Sequence, residues 1–190
     1  MVNQSPLGHA FEVAEQQPKV VRVVVGIMLM ATFVLIALSL VSQYAGGWGV
    51  PYFSFTTERG SPCKNKLTGF TCSPLTLADL EFYGDVDLPD DSVMISGRYT
   101  ATHDYQLDAA VNVPARSAKA ALAALKDAYG DCVPGHPSPL NTSGLRQVCV
   151  VSNDDAIVDR SSEPSSRLYV VGTGVRKDGS RPIVLTIKSR

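Results

Sequence analysis

A chain of 190 residues has room for one globular domain and an anchor. Its formal net charge of −1 and its 18% of charged residues argue against a nucleic-acid-binding protein, because such proteins bind mainly by neutralising phosphates with lysine and arginine. Hydrophobic residues make up 45% of the chain, and many of them lie in one block near the N-terminus. We therefore expect a membrane-inserted segment followed by a water-exposed domain.

An uncharged apolar run covers residues 23–41 and is long enough to cross a bilayer as a helix. About 20 apolar residues span a hydrocarbon core of about 30 Å. The run lacks the polar face that an interior helix of a globular domain normally carries. It also exceeds the apolar region of a cleaved signal peptide, and bulky Gln43 occupies a position where cleavage requires a small residue. These features predict an uncleaved signal anchor over residues 23–43, which holds the protein in the lipid bilayer.

Basic residues predict the orientation of this anchor. Lys19 and Arg22 precede the apolar run, whereas residues 42–58 contain neither lysine nor arginine. Because the cytoplasmic flanks of membrane helices are enriched in positive charge, residues 1–22 are expected to form a cytoplasmic tail and the C-terminal part to be exported across the cell membrane. The aromatic residues directly after the run are expected at the lipid headgroups, the alternative being that some pack on the domain. They are Tyr44, Trp48, Tyr52 and Phe53.

All four cysteines lie after the apolar run, where an oxidising compartment would pair them as disulfides. Three pairings are possible. The pairing of Cys63 with Cys72 and of Cys132 with Cys149 is preferred because both bonds close short loops, each worth about 3 kcal/mol in the chain-entropy account. The alternative is a metal site formed with an exported histidine, but the cysteine spacings are wider than those of typical zinc ligands. Structural disulfides are therefore the prediction.

Residues 44–75 are rich in glycine, proline, serine and threonine and are expected to form an exported stalk. Residues 76–82 fit either one helical turn or a short strand. Residues 76–190 are expected to form the exported domain.

Two stretches of alternating apolar and polar residues, 93–100 and 107–113, predict an antiparallel hairpin in this domain. A helix that Ser117 caps and that runs through Tyr129 is expected next, with its apolar side chains along one stripe. A strand around residues 146–151 follows.

The last predicted hairpin joins residues 168–175 to residues 183–188 through Asp178 and Gly179, a dipeptide suited to a type I′ turn. The order β-β-α-β-β-β predicts an α+β fold in which one helix packs on a mostly antiparallel sheet.

The segment LPDDSVMISGRYTATHDYQLDAAVNVPARSAKAAL combines a Leu-Pro lead, a strand pair and a Val-Pro before a helix. It resembles a segment of uncharacterised actinobacterial single-pass membrane-anchored proteins over about residues 85–125. The resemblance implies a location in the bacterial cell envelope. It implies no activity, cofactor or functional residue.

Six acidic residues lie within residues 79–91, without a basic residue among them. Such a cluster suits Ca²⁺, which prefers carboxylate oxygens, but residues 85–89 lack the third ligand and the glycine of an EF-hand loop. A solvated acidic loop is the preferred interpretation. The six residues are Asp79, Glu81, Asp85, Asp87, Asp90 and Asp91.

His103 and His136 are the exported candidates for a general base, and neither lies in a catalytic motif. Basic residues of the C-terminal strands suit an acidic partner, anionic lipid headgroups or cell-wall polymers, or they are simply the solvated face of a sheet. These basic residues are Arg160, Arg167, Arg176, Lys177, Arg181, Lys188 and Arg190.

No residue pattern predicts a catalytic, cofactor-binding or metal-binding site. We therefore expect a non-catalytic binding or accessory protein of the cell envelope, whose partner is another membrane or envelope protein rather than a nucleic acid. The alternative hypothesis is an envelope hydrolase with a site near His103 or the acidic segment.

Overall fold

The structure is a computed structural model that describes residues 19–153 and 166–189 of the chain. The chain divides between Tyr44 and Ala45 into two compact units. Among the residues described, the first unit contains one helix, and the second contains a sheet with two helices. Most of the predicted cytoplasmic tail lies outside the described residues.

Helix α1 (Lys19–Tyr44) contains the whole predicted anchor. Its 26 residues correspond to a length of about 39 Å, and none of them is buried. The hydroxyl of Thr32 donates to the carbonyl of Met28 at 2.8 Å, so this polar side chain is satisfied within the helix. By length and composition, α1 is a candidate membrane span or signal sequence.

The second unit is an α+β domain with an antiparallel sheet, in which the described residues form eight strands. The first three strands are β1 (Ser54–Thr56), β2 (Pro62–Lys66) and β3 (Gly69–Cys72), followed by helix α2 (Leu77–Gly84). Then come β4 (Val93–Ala101), β5 (Tyr105–Val113), helix α3 (Ala118–Tyr129), β6 (Arg146–Ser152), β7 (Arg167–Val175) and β8 (Arg181–Ser189). The strand order across the sheet is β1-β2-β3-β4-β5-β8-β7-β6.

The stalk predicted over residues 44–75 is not what the structure shows, because β1, β2 and β3 belong to the same sheet as the rest of the domain. In β2, Cys63 and Asn65 are buried, while the residues between and beside them are exposed. Because Asn65 is polar although it is buried, the alternation of buried and exposed residues in β2 does not appear as an alternation of apolar and polar residues in the sequence. The predicted β-β-α-β-β-β order is therefore incomplete, since three strands and α2 precede it.

Alternation along the central strands gives the sheet two different faces. Leu107 and Val111 of β5 and Leu185 of β8 are buried on one face, where they belong to the same core as Leu80 of α2 and Leu125 of α3. We call this the covered face. We call the opposite side of the sheet, to which the intervening residues of β4, β5 and β8 point, the open face.

The β7–β8 hairpin is closed by a turn that differs from the predicted one. Of its central residues only Gly179 has a positive φ, of +84°. The amide of Gly179 donates to the carbonyl of Arg176 at 3.0 Å, and the amide of Arg176 donates to the carbonyl of Ser180 at 2.9 Å. These bonds define a type I turn followed by a glycine bulge, whereas a type I′ turn needs positive φ at two successive residues.

Two disulfides lie in the second unit. Cys63 and Cys72 are directly paired residues of β2 and β3, with Cα atoms 3.9 Å apart. Cys132, which follows α3, is bonded to Cys149 of β6, with Cα atoms 5.3 Å apart. These bonds use all four cysteines of the chain. Their presence is typical of a domain that folds in an oxidising, extracytoplasmic compartment.

Candidate functional site

The open face carries a concavity of about 560 Å³ at its centre. Ser96, Ala110 and Val184 form its floor and lie side by side in register on β4, β5 and β8. None of these side chains is large, and within the described residues neither α2 nor α3 packs on this side of the sheet. The concavity is therefore open to a partner.

A polar group borders the floor. The carboxylate of Asp108 accepts hydrogen bonds from Thr186 at 3.0 Å and from Gln106 at 2.7 Å. Arg98 lies opposite Asp108 in register, yet its exposed guanidinium takes part in none of the hydrogen bonds or ion pairs found among the described residues. A guanidinium in this state suits a carboxylate or phosphate of a bound molecule, because its planar fork can donate two parallel hydrogen bonds.

One edge of β4 borders the same concavity. Strand β3 pairs only with residues 99–101 of β4, and the amide of Leu75 donates to the carbonyl of Gly97 at 3.3 Å. In the part of the chain that the structure describes, no strand lies beside residues 93–96 on this side. The backbone groups of an uncovered strand edge are a template for pairing with an extended segment of another chain.

Two apolar side chains mark this open edge. Val93 and Ile95 are each 59% exposed, although most residues of their type are buried in folded domains. The pairing of β4 with β5 shifts between Met94 and Ser96, which takes Ile95 out of the regular alternation and leaves it outside the core. The open edge is thus apolar where it meets the concavity.

The loop between α3 and β6 covers the other half of the open face. A Cβ atom on Gly172 of β7 would lie 2.7 Å from Cδ of Pro139, and one on Gly174 would lie 3.0 Å from Cδ1 of Leu145. Val150 of β6 is only 5% exposed beneath this loop. The loop therefore confines the accessible surface to β4, β5 and β8.

Comparisons with known proteins identify no relative. No protein-family model matches the chain. No curated protein and no solved structure matches it either. The resemblance of residues 85–125 to actinobacterial membrane-anchored proteins thus stays an expectation, and function has to be inferred from the surface itself.

The first residue of the acidic segment has a structural role. Asp79 is fully buried, and its Oδ2 accepts from the hydroxyl of Thr57 at 2.5 Å, the amide of Ser61 at 3.2 Å and the hydroxyl of Thr76 at 3.2 Å. The oxygen of Thr76 in turn caps α2 by accepting from the amide of Asp79 at 3.2 Å. This network resolves the sequence alternative at residues 76–82 in favour of a helix.

Other acidic residues of the segment have separate partners. Glu81 accepts from the amide of Leu88 at 3.1 Å, and burial raises the pKa of its carboxyl. Asp91 accepts from Arg116 at 2.5 Å and from Ser117 at 2.8 Å, and these hydrogen bonds lower the pKa of the Asp91 carboxyl. Ser117 precedes α3 as predicted, but its hydroxyl is used in this contact and does not cap the helix. Among the described residues no group of three or more His, Cys, Asp or Glu is placed to hold a metal ion.

The two histidines lie in different loops. His103 is exposed in the turn between β4 and β5 and takes part in none of the hydrogen bonds found among residues 19–153 and 166–189. The Nδ1 atom of His136 lies 2.9 Å from the carbonyl oxygen of Pro137, in the loop after α3. The structure does not bring these two general-base candidates together.

The basic residues of the C-terminal strands do not form one patch. Arg181 is 3% exposed on the covered face, where its guanidinium donates to Thr173 at 3.4 Å. Arg167 donates to the carbonyl of Gly84 and lies 3.7 Å from Asp85. The other described members are Arg176 and Lys177, at the β7–β8 turn, and Lys188, near the far end of β8, while Arg160 and Arg190 lie outside the described residues. The burial of Arg181 could have been predicted from the sequence, because Arg181 lies an even number of residues before the buried Ile183 and Leu185 of β8 and therefore on the same face.

Proposed function

We propose that this protein is a membrane-anchored, extracytoplasmic binding or accessory protein of the cell envelope that has no catalytic role. In this proposal α1 is a single-pass anchor with a cytoplasmic N-terminus, as supported by Lys19 and Arg22 at its start. The two disulfides support export of the domain.

The open edge of β4 beside the central concavity carries the binding part of the proposal. An extended segment of a second envelope protein would pair with the backbone of residues 93–96 and place alternate side chains over Val93 and Ile95. The guanidinium of Arg98 would receive an acidic group of the same segment. A flat apolar edge of this kind favours a protein partner over a small molecule, which normally needs a more enclosed pocket.

A photo-crosslinking side chain at Ile95 tests this surface in the full chain, in its own membranes. We expect it to capture one discrete partner, because residue 95 is exposed at the open edge. The same group at Lys119, an exposed position of α3, is the matched control and is expected to capture none. Capture at Ile95 should also be lost on Ala110→Trp, which fills the concavity. Equal capture at both positions, or capture that survives Ala110→Trp, would contradict the proposal.

Thiol labelling tests the orientation. In intact cells, a membrane-impermeant maleimide is expected to leave the protein unlabelled, and to label it after treatment with an impermeant reductant, because all four cysteines are in disulfides of the exported domain. A Ser5→Cys variant, with its thiol in the tail, should be labelled only after cell lysis. Labelling of the native cysteines without reduction, and only after lysis, would show the opposite orientation.

A further inference from the structure

We infer that the turn between β2 and β3 is a second membrane contact, in which Leu67 enters the interface of the bilayer and Lys64 and Lys66 meet anionic lipid headgroups. The inference rests on the proposed role of α1 as a membrane anchor. It adds a surface of the folded domain that is distant from α1 in sequence.

Asn65 fixes the start of the domain to the end of β2. It is 5% exposed, and its side-chain amide donates to the carbonyl of Gly46 at 2.7 Å and to the carbonyl of Val50 at 3.1 Å. Its backbone donates to the carbonyl of Phe53 at 2.9 Å and accepts from the amide of Tyr52 at 3.0 Å. These bonds hold the first residues of the second unit, which follow α1 in sequence, beside the end of β2.

The segment that Asn65 holds is tightly fitted. A Cβ atom on Gly46 would lie 1.8 Å from the carbonyl oxygen of Ser54, and Ala45 is 1% exposed. Tyr52 adopts a positive φ of 69°, a backbone conformation that non-glycine residues keep only where their surroundings enforce it. Residues 45–53 are therefore an integral part of the folded domain.

Large apolar and aromatic side chains are exposed at this end of the sheet. Leu67 is 74% exposed, the highest value among the large hydrophobic residues that the structure describes, and above that of Val20 of α1, at 71%. Trp48 is 69% exposed and Tyr52 is 67% exposed, in the segment held by Asn65. Tryptophan and tyrosine are enriched at the headgroup level of bilayers, and an adjacent aliphatic tip extends the same contact.

Charge at this end favours anionic lipid. Lys64 and Lys66 are exposed, since alternation along β2 directs them away from the buried Cys63 and Asn65. The neighbouring β4–β5 turn contributes one acidic residue, Asp104. A lysine near an anionic bilayer strengthens binding by about fivefold, so the pair outweighs a single carboxylate.

A fluorescent probe at residue 67 tests the contact in the full chain, reconstituted in phosphatidylcholine vesicles with and without phosphatidylglycerol. Because every native cysteine is in a disulfide, Leu67→Cys introduces the only free thiol for an environment-sensitive fluorophore. Lys177→Cys, in the exposed turn at the opposite end of the sheet, is the matched control. We expect spin-labelled lipids to quench the probe at residue 67 severalfold more than the probe at residue 177. Phosphatidylglycerol should increase that quenching, and K64Q/K66Q should abolish the increase.

The single tryptophan of the chain separates the two proposals. Suppose that spin-labelled lipid quenches the fluorescence of Trp48 but quenches the probe at residue 67 no more than the probe at residue 177. That result would support the anchor and refute the second contact. If the protein does not float with the vesicles, both the anchor and the second contact are refuted. If K64Q/K66Q leaves the effect of phosphatidylglycerol unchanged, the role of the lysines is refuted.

Discussion

Replacing Gly69 with alanine is expected to lower the free energy of unfolding of the domain by about 4 kcal/mol or more, an effect reserved for severe steric or strain conflicts. The new Cβ atom would lie 1.8 Å from the carbonyl oxygen of Ala101, and the φ of +138° at residue 69 disfavours any side chain. The obstacle is backbone of β4, so relief requires β3 to separate from β4, where Phe70 is paired with Ala101. Chemical denaturation of the purified chain, followed by circular dichroism, measures the loss.

Gly130→Ala is the matched control for this substitution. Gly130 also has a positive φ, of +97°, but no atom lies within 4 Å of the position that its Cβ would occupy. We expect this variant to lose only about 1–3 kcal/mol, the cost of placing a side chain in the glycine-type backbone conformation of residue 130, with φ of 97° and ψ of −168°. Equal losses for both variants would show that the close approach of β3 and β4 is not what requires glycine at residue 69.

Replacing Asp79 with alanine is expected to cost about 3 kcal/mol of unfolding free energy. The substitution removes the acceptor for the hydroxyls of Thr57 and Thr76 and for the amide of Ser61, in a place with little access for water. The amide of Ser61 keeps a hydrogen bond to the Thr57 hydroxyl. The hydroxyl of Thr76 keeps one to the Arg59 carbonyl, but the hydroxyl of Thr57 loses its acceptor. The shared carboxylate that joins the β1–β2 connection to the start of α2 is also lost. The midpoint of urea denaturation should fall, with an unchanged slope if the transition stays two-state.

Asp87→Ala controls for the removal of an acidic residue from the same segment. Asp87 is exposed, so its loss is expected to change the unfolding free energy by less than about 0.5 kcal/mol. If Asp79→Ala cost no more than Asp87→Ala, the buried network would make no net contribution to stability.

Strands whose faces differ in polarity could be predicted from the sequence. The stretches 93–100 and 107–113 correspond to β4 and β5, and β5 alternates regularly between buried and more exposed residues. The alternation fails at the start of β4, where the shift between Met94 and Ser96 leaves the apolar Ile95 exposed. Strands β1 to β3 could not be predicted in this way. Their positions depend on a buried Asn65 and on the pairing of Cys63 with Cys72, which leave no run of apolar residues in the sequence.

The candidate binding surface could not be predicted from the sequence, because it depends on which strands become neighbours in the sheet. Alternation indicates that Arg98 and Asp108 point away from the core, but it does not indicate whether another element covers them. The concavity depends on β8 lying beside β5, a pairing of strands that are distant in sequence. The open edge of β4 exists because β3 has only four residues.

The position of β8 has a consequence for how this domain folds during synthesis. In the described part of the chain β8 is the last strand in sequence, yet it lies between β5 and β7. During synthesis, the β4–β5 hairpin and the strands β6 and β7 are made before β8, the strand that lies between them. Closing the sheet then joins residues as far apart as Gln106 and Lys188, which carries a large loop-closure entropy. A chain truncated before β8 would therefore contain two unjoined parts of the sheet, with the edges of β5 and β7 uncovered.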